Sequence, residues 1–239
     1  MHTRSRRDRT PGGIVVRLVG AAALLLGLLL GAGLLVTRVL PGTDVERAET
    51  AASSWLADER TPPLDAVSGP VAELGNTGTI AVLGVAAIGI SVAVLRRWWP
   101  ALLLTVALVG ELALFLTTTA LIDRPRPSVP HLDAELPPTS SFPSGHTAAS
   151  ICLYGGIAAL VLATTRARWR WLVLAGAVLV VTLVAAARLY RGAHFPTDVL
   201  GSILFAVPWL LIAVHLLGPD PQGADQPTSD DGRPVPRPS

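Results

Sequence analysis

Three stretches of this sequence bring histidine, arginine and carboxylate together at spacings that suit proton and phosphoryl chemistry. The first is SFPSGHTAAS, residues 141–150, in which Pro143, Ser144 and Gly145 lead into His146 at the mouth of an apolar run. Pro143 favours a turn, Ser144 is a good N-cap, and Gly145-His146 is expected to open a helix. A helix N-terminus offers unpaired N–H groups and partial positive charge, which suits a phosphate group. His146 lies within a turn of that point, where it can give or take a proton beside bound phosphate. The second stretch is ARLYRGAHFPTDVL, residues 187–200, which holds Arg188, Arg191, His194 and Asp198. Pro196 fits the first turn of a helix, and Asp198 is spaced to reach back toward the His194 ring. A carboxylate on one imidazole nitrogen fixes the tautomer and leaves the other nitrogen free to attack. The third, LIDRPRPSVPHLDAELPPTSSFPSGH, residues 121–146, adds Arg124 and Arg126. Planar arginine forks on one face imply an anionic ligand, phosphate above all. His131, Asp133 and Glu135 in the same stretch read as solvated loop charges.

The elements that must position these groups are membrane spans. About half the residues are hydrophobic and only 15% are charged, which fits a multi-span membrane protein and not a soluble domain. Runs of roughly 20 apolar residues are needed to span a bilayer. Six qualify: Ile14–Val36, Leu74–Leu95, Pro100–Ile122, Thr147–Ala163 (with a start at Ser144), Trp171–Ala187 and Val199–Leu217. Lipid permits helices or closed barrels, and these runs are too long for barrel strands, so the expected class is all-α, a six-transmembrane-helix bundle. The first run follows RSRRDR as a signal peptide would. It is longer than a usual signal segment and no A-x-A site follows, so it reads as a retained anchor. Glycines within the runs, Gly84, Gly89, Gly155 and Gly156, read as close helix-packing points. Glu111 falls mid-span and reads as a protonated or paired structural residue.

Arginine placement gives an orientation. Arg4, Arg6, Arg7 and Arg9 put the N-terminus in the cytoplasm, and six spans return the C-terminus there. Arg96, Arg97, Arg166, Arg168 and Arg170 then fall in inner loops, flanked by Trp98, Trp99, Trp169 and Trp171. The outer loop 39–73 is mostly acidic, and its DVERAETAASSWLADER segment is expected to form a short surface helix with Trp55 and Leu56 in lipid. Both histidine motifs and the loop 122–143 lie on the same, extracytoplasmic face. The expected layout is a basic cytoplasmic N-terminus over 1–12, a membrane domain over 13–217, and a tail over 218–239 whose Pro, Gly, Asp and Ser content suits disorder. The chain contains no Lys, and with abundant Ala, Leu and Val this points to a GC-rich bacterial genome and a bacterial plasma membrane. A net charge of +2 is too small to argue for nucleic acid. The single cysteine, Cys152, excludes an internal disulfide.

These residues resemble the type 2 phosphatidic acid phosphatase superfamily, which also includes the vanadium-dependent haloperoxidases. That family carries three motifs, K-x6-R-P, P-S-G-H and S-R-x5-H-x3-D. Here Pro143, Ser144, Gly145 and His146 complete the second. Arg188, His194 and Asp198 match the third, with Ala187 at the leading Ser. Arg126 and Pro127 match the first, with Thr119 at the Lys position. The resemblance implies a phosphohistidine mechanism: His194 as nucleophile, Asp198 holding it, and His146 as proton donor and then base. Arg126, Arg188, Ser144 and the Gly145 N–H would bind phosphate oxygens, with no metal or other cofactor. Thr119 can still hydrogen-bond, and Arg124 or Arg191 can replace the missing charge. The implied substrate is a lipid phosphate or diphosphate, such as undecaprenyl diphosphate, phosphatidylglycerol phosphate or phosphatidic acid, with membrane lipids as the other partners. A non-catalytic lipid-phosphate binder and a lipid phosphotransferase are the alternatives. The haloperoxidases suit this chain less, since they are generally soluble. The sequence leaves the oligomeric state open.

Overall fold

The computed structural model describes residues 10–133, 136 and 140–219. Arg4, Arg6, Arg7, Arg9, Glu135 and the tail beyond 219 lie outside the described residues. The chain runs through α1 (Pro11–Leu34, continued by a π turn, Leu35–Val39), α2 (Asp44–Asp58), α3 (Pro62–Glu73), α4 (Thr77–Leu95), α5 (Trp99–Leu121), α6 (Gly145–Thr164), α7 (Arg170–Tyr190) and α8 (Pro196–Leu217). Six of these, α1 and α4 to α8, are long and apolar enough to cross a membrane. They fall where the hydropathy places them, within a few residues at each end. Local chemistry explains several boundaries. Pro11 begins α1, and the Thr10 hydroxyl accepts from the Gly13 N–H at 3.2 Å. The Asn76 side chain caps α4 by accepting from Gly78 at 3.0 Å. Pro196 occupies the first turn of α8.

The fold is organised around α6, which packs against α4, α5, α7 and α8. Small residues allow the close approach. A side chain at Gly155 would run into Leu210, and one at Gly156 into Leu104. Gly84 lies likewise against Leu108. Gly89 differs from expectation: nothing lies within 4 Å of it, because it sits on the exposed side of α4. Helix α1 is part of the bundle, packing against α5 and α8. Its Leu25 and Leu29 join Leu114, Ile151, Phe205 and Trp209 in one core. Trp209 packs its indole against Gly110, where there is no room for a side chain, and donates its N–H to the Ala107 carbonyl at 3.1 Å. The outward faces stay apolar, with Val82, Val85 and Ile90 of α4, Leu172 and Leu179 of α7, and Leu211 of α8 all exposed. Such a surface suits hydrocarbon and not water. Glu111 of α5 points inward and is buried.

The segment 39–73 forms two helices where one was expected, and both lie against α7 at the end of the bundle that carries the motifs. Trp55 is exposed, as a lipid-facing residue would be. The buried face of α2 is polar: it consists of Glu49 and Ser53, one helical turn apart. Arg60, between α2 and α3, donates to the Tyr190 carbonyl at 3.0 Å and to the Pro130 carbonyl at 2.6 Å. The Tyr190 hydroxyl accepts from the Thr61 N–H at 3.1 Å and donates to Asp65 at 2.7 Å. These bonds clamp the acidic segment across the ends of α7 and the loop that follows α5.

Candidate active site

His194 sits in the turn between α7 and α8. The turn depends on Gly192, whose φ of +76° is left-handed. A Cβ there would stand 2.8 Å from Val129 and 3.2 Å from the Arg60 guanidinium. Closing the turn, the Ala193 N–H reaches the Arg188 carbonyl at 3.0 Å. The His194 ring is buried, and its Nδ1 lies 2.8 Å from the Ser141 carbonyl oxygen. A carbonyl only accepts, so Nδ1 carries the proton and Nε2 keeps its lone pair. Asp198 was expected to make this bond. Its Oδ2 lies 3.7 Å from Nδ1, beyond hydrogen-bond range but close enough to act as a charge. Oδ2 instead accepts from the Phe195 N–H at 2.8 Å and so caps α8. Burial and the Arg188 and Arg126 charges push His194 below the ordinary imidazole value near 6.5, against the opposing pull of Asp198. The ring is therefore neutral at neutral pH, which is the form a nucleophile needs.

The segment that supplies the Ser141 carbonyl is held from both sides. Ser141 donates its N–H to the Arg124 carbonyl at 2.9 Å and its hydroxyl to the Pro125 carbonyl at 3.1 Å. The Ser140 hydroxyl accepts from the Arg124 N–H at 3.2 Å. Phe142 is seated against Gly201, with no room there for a side chain, and the Phe142–Pro143 peptide is cis. Ser144 is the N-cap of α6, as expected, and its hydroxyl lies 3.0 Å from the Thr147 hydroxyl. The Ser144 N–H donates to the Asp198 carbonyl at 3.2 Å, and Ser202 bonds both the Ser144 and Asp198 carbonyls at 2.7 and 3.0 Å. These bonds tie the starts of α6 and α8 together. Gly145 is required by the Phe115 ring, which lies 2.8 Å from where its Cβ would be.

His146, His194, Arg126, Arg188, Asp198 and Asp133 all lie within electrostatic range of one another or of a shared member of the group. Arg126 donates to the Ala193 carbonyl at 2.8 Å, beside His194. Burial and the neighbouring Arg188 charge both pull the Arg126 guanidinium downward from its ordinary value, which is what two cations sharing a buried site produce. Arg188 is buried, and its Nε has no hydrogen-bond partner among the described residues. Asp133 is no solvated loop charge: its carboxylate bridges Arg188 at 2.8 Å and Arg191 at 2.6 Å. Arg191 also donates to the Ser68 hydroxyl at 3.1 Å and the Leu132 carbonyl at 2.9 Å, so it ties α3 to the motif loop.

Two expected phosphate ligands are placed differently. The Arg124 guanidinium is committed to carboxylates: it is ion-paired with Glu49 and with Asp198, bonds the Thr197 hydroxyl at 2.7 Å, and stacks over the Phe195 ring. Thr119 turns its hydroxyl back onto the Leu116 carbonyl of its own helix at 3.2 Å, so it does not stand in for a lysine. Sequence reasoning missed Ser141, whose contribution is a backbone oxygen with no residue signature. It also missed Glu49 and Thr197. A polar pair one turn apart on the buried side of α2 was the only available signal for Glu49. Among the described residues, no three His, Cys, Asp or Glu side chains converge as metal ligands.

The chain is 29% identical over 172 residues to phosphatidylglycerophosphatase B of Bacillus subtilis (strain 168), covering 70% of this chain and 82% of that protein. Its fold is similar to the crystal structure of a transmembrane PAP2-type phosphatidylglycerolphosphate phosphatase from Bacillus subtilis, with a TM-score of 0.69 and 23% identity over 87% of this chain and 95% of that one. The family model of the PAP2 superfamily matches residues 98–220, the span that holds His146, His194 and Asp198, and the chain belongs to that superfamily.

Proposed function

We propose that this protein is an integral membrane phosphatase that removes phosphate from a lipid phosphate through a phosphohistidine at His194. The observation that carries the reading is the 2.8 Å approach of His194 Nδ1 to the Ser141 carbonyl oxygen, which calls for the proton on Nδ1 and leaves the Nε2 lone pair free, with Arg126, Arg188 and His146 nearby. In the first step Nε2 attacks phosphorus, the N–P bond forms, and the P–O bond to the lipid breaks. His146 gives its proton to the leaving oxygen. In the second step His146 takes a proton from water, the new O–P bond forms, and the N–P bond breaks. Arg126, Arg188 and the first N–H groups of α6 hold the equatorial oxygens as negative charge gathers on them. The reaction needs no metal. The termini face the cytoplasm and the site faces the outer leaflet, where a lipid tail stays in the bilayer while the headgroup enters between helices. The name of the Bacillus subtilis relative makes phosphatidylglycerol phosphate the first substrate to test, followed by phosphatidic acid and undecaprenyl diphosphate.

The test is phosphate release by purified protein in detergent from these lipids, with EDTA present, beside His194→Ala. Release by the wild type and loss in the variant is the expected result. Binding of the lipids without release would replace hydrolysis with binding, and formation of a phosphate ester of a supplied alcohol in place of free phosphate would replace it with transfer. Inhibition by EDTA would overturn metal independence.

A further inference from the structure

We infer that Glu49, on the acidic helix α2, is a positioning residue for catalysis, setting the charge that Asp198 presents to His194. The three buried groups form a chain. Glu49 and Asp198 are each ion-paired to Arg124, Glu49 at Nη2 and Asp198 at Nη1. Thr197 crosslinks the chain, donating its hydroxyl to Glu49 at 2.6 Å while Arg124 bonds the same oxygen at 2.7 Å. All three charged groups are at most 8% exposed, so water does little to screen them. Glu49 reaches the site from a sequence distance of 75 residues, across the fold, and is one of two buried residues on α2.

The charge count explains why a second carboxylate is needed. Arg124 paired with Asp198 alone is neutral, and a neutral pair stabilises little positive charge on the neighbouring ring. With Glu49 the set carries a net charge of −1. That charge stands beside the imidazole as it becomes cationic on forming the N–P bond. Arg126 and Arg188 oppose it, and Asp133 partly offsets Arg188. Removing the Glu49 charge leaves the cations less opposed.

This inference rests on His194 being the nucleophile, so the experiment carries a control for that reading. Phosphate release from phosphatidylglycerol phosphate is measured across pH for wild type, His194→Ala, Glu49→Gln, Glu49→Asp and the double variant Glu49→Gln/Arg124→Gln. Glu49→Gln is expected to lower kcat by about tenfold or more with KM little changed, as loss of an outer partner does elsewhere. Its acid limb is expected to move to lower pH, by roughly one unit for a tenfold change in proton affinity, because losing a negative charge disfavours the protonated ring. Glu49→Asp keeps the charge and is expected to keep the wild-type acid limb. The double variant restores a net charge of −1 and is expected to bring the limb back. If Glu49→Gln does not fold, Arg124→Gln against the double variant carries the same comparison, with the higher limb expected in Arg124→Gln. Unchanged kcat and pH profile in Glu49→Gln, or one acid limb shared by all these variants, overturns the inference. Activity in His194→Ala would overturn the nucleophile instead.

Discussion

Asp198→Asn tests how the site handles charge. Asp198 is fully buried and meets three partners: Arg124, the Phe195 N–H and, at 3.7 Å, His194 Nδ1. Asparagine offers one acceptor oxygen where aspartate offers two, and both close neighbours donate. One of the two bonds must be lost and an amide N–H left facing a donor, which costs about 1 to 3 kcal/mol of stability. The effect on catalysis is separate. A unit charge 3.7 Å from a fully cationic ring is worth about 4 to 5 kcal/mol at an effective dielectric near 20. On the proposed mechanism the ring is neutral before attack and only partly charged in the transition state, so about 2 to 4 kcal/mol is lost. That corresponds to a fall in kcat of roughly 30- to 1,000-fold. KM should change little, since Asp198 does not touch phosphate. The assay is steady-state phosphate release from a lipid phosphate in detergent, with melting temperature on the same preparation. A folded Asp198→Asn protein with kcat within threefold of wild type would refute the charge assignment, and a rise in KM alone would place Asp198 on the substrate.

Other expectations follow from single contacts. Asp133 pairs with Arg188 and Arg191; on the reading that phosphate competes with it for Arg188, Asp133→Asn should lower KM by roughly fivefold, the equivalent of about 1 kcal/mol, and a higher KM would contradict this. Gly192→Ala forces a Cβ into a left-handed turn 2.8 Å from Val129, which should cost about 1 to 3 kcal/mol and displace His194; a melt and a rate matching wild type would show that the turn does not position the ring. Because His194 is held below 6.5, kcat/KM should persist below that pH, and an acid limb at or above 6.5 would contradict the burial argument. The same shift has a stability consequence: the unfolded chain binds the proton first, so the His194 contribution is present above pH 6.5 and lost as pH falls, which a melting series checks.

The spans were legible because a bilayer leaves few choices: a run such as Thr77–Leu95 can satisfy its backbone only as a helix. The starts of α6 and α8 were legible for a similarly local reason, since Ser144 stands at the N-cap position and Pro196 in the first turn. What needed the third dimension was the pairing of charges. Arg124 and Arg126 stand two residues apart in an identical R-P context, yet one pairs with Glu49 and the other lies beside Ala193 and His194. Nothing local distinguishes them, because the distinction is made by α2, far upstream. Nor could composition tell which acid of the outer segment turns inward; Glu49 does so because it shares a face with Ser53. Asp198 was read from its spacing as the bond to His194. Helix capping and Arg124 claim its oxygens first, and a backbone carbonyl takes the ring.

The most direct test of the central claim is to trap the phosphoryl enzyme. Wild-type protein is mixed with a lipid phosphate labelled in its phosphoryl group, quenched in alkali within one turnover, digested and mapped. Phosphohistidine survives alkali and is lost in acid. The expected result is acid-labile label on the peptide containing His194 in wild type and none in His194→Ala. Label on another residue, or phosphate release by His194→Ala at the wild-type rate, would contradict the account.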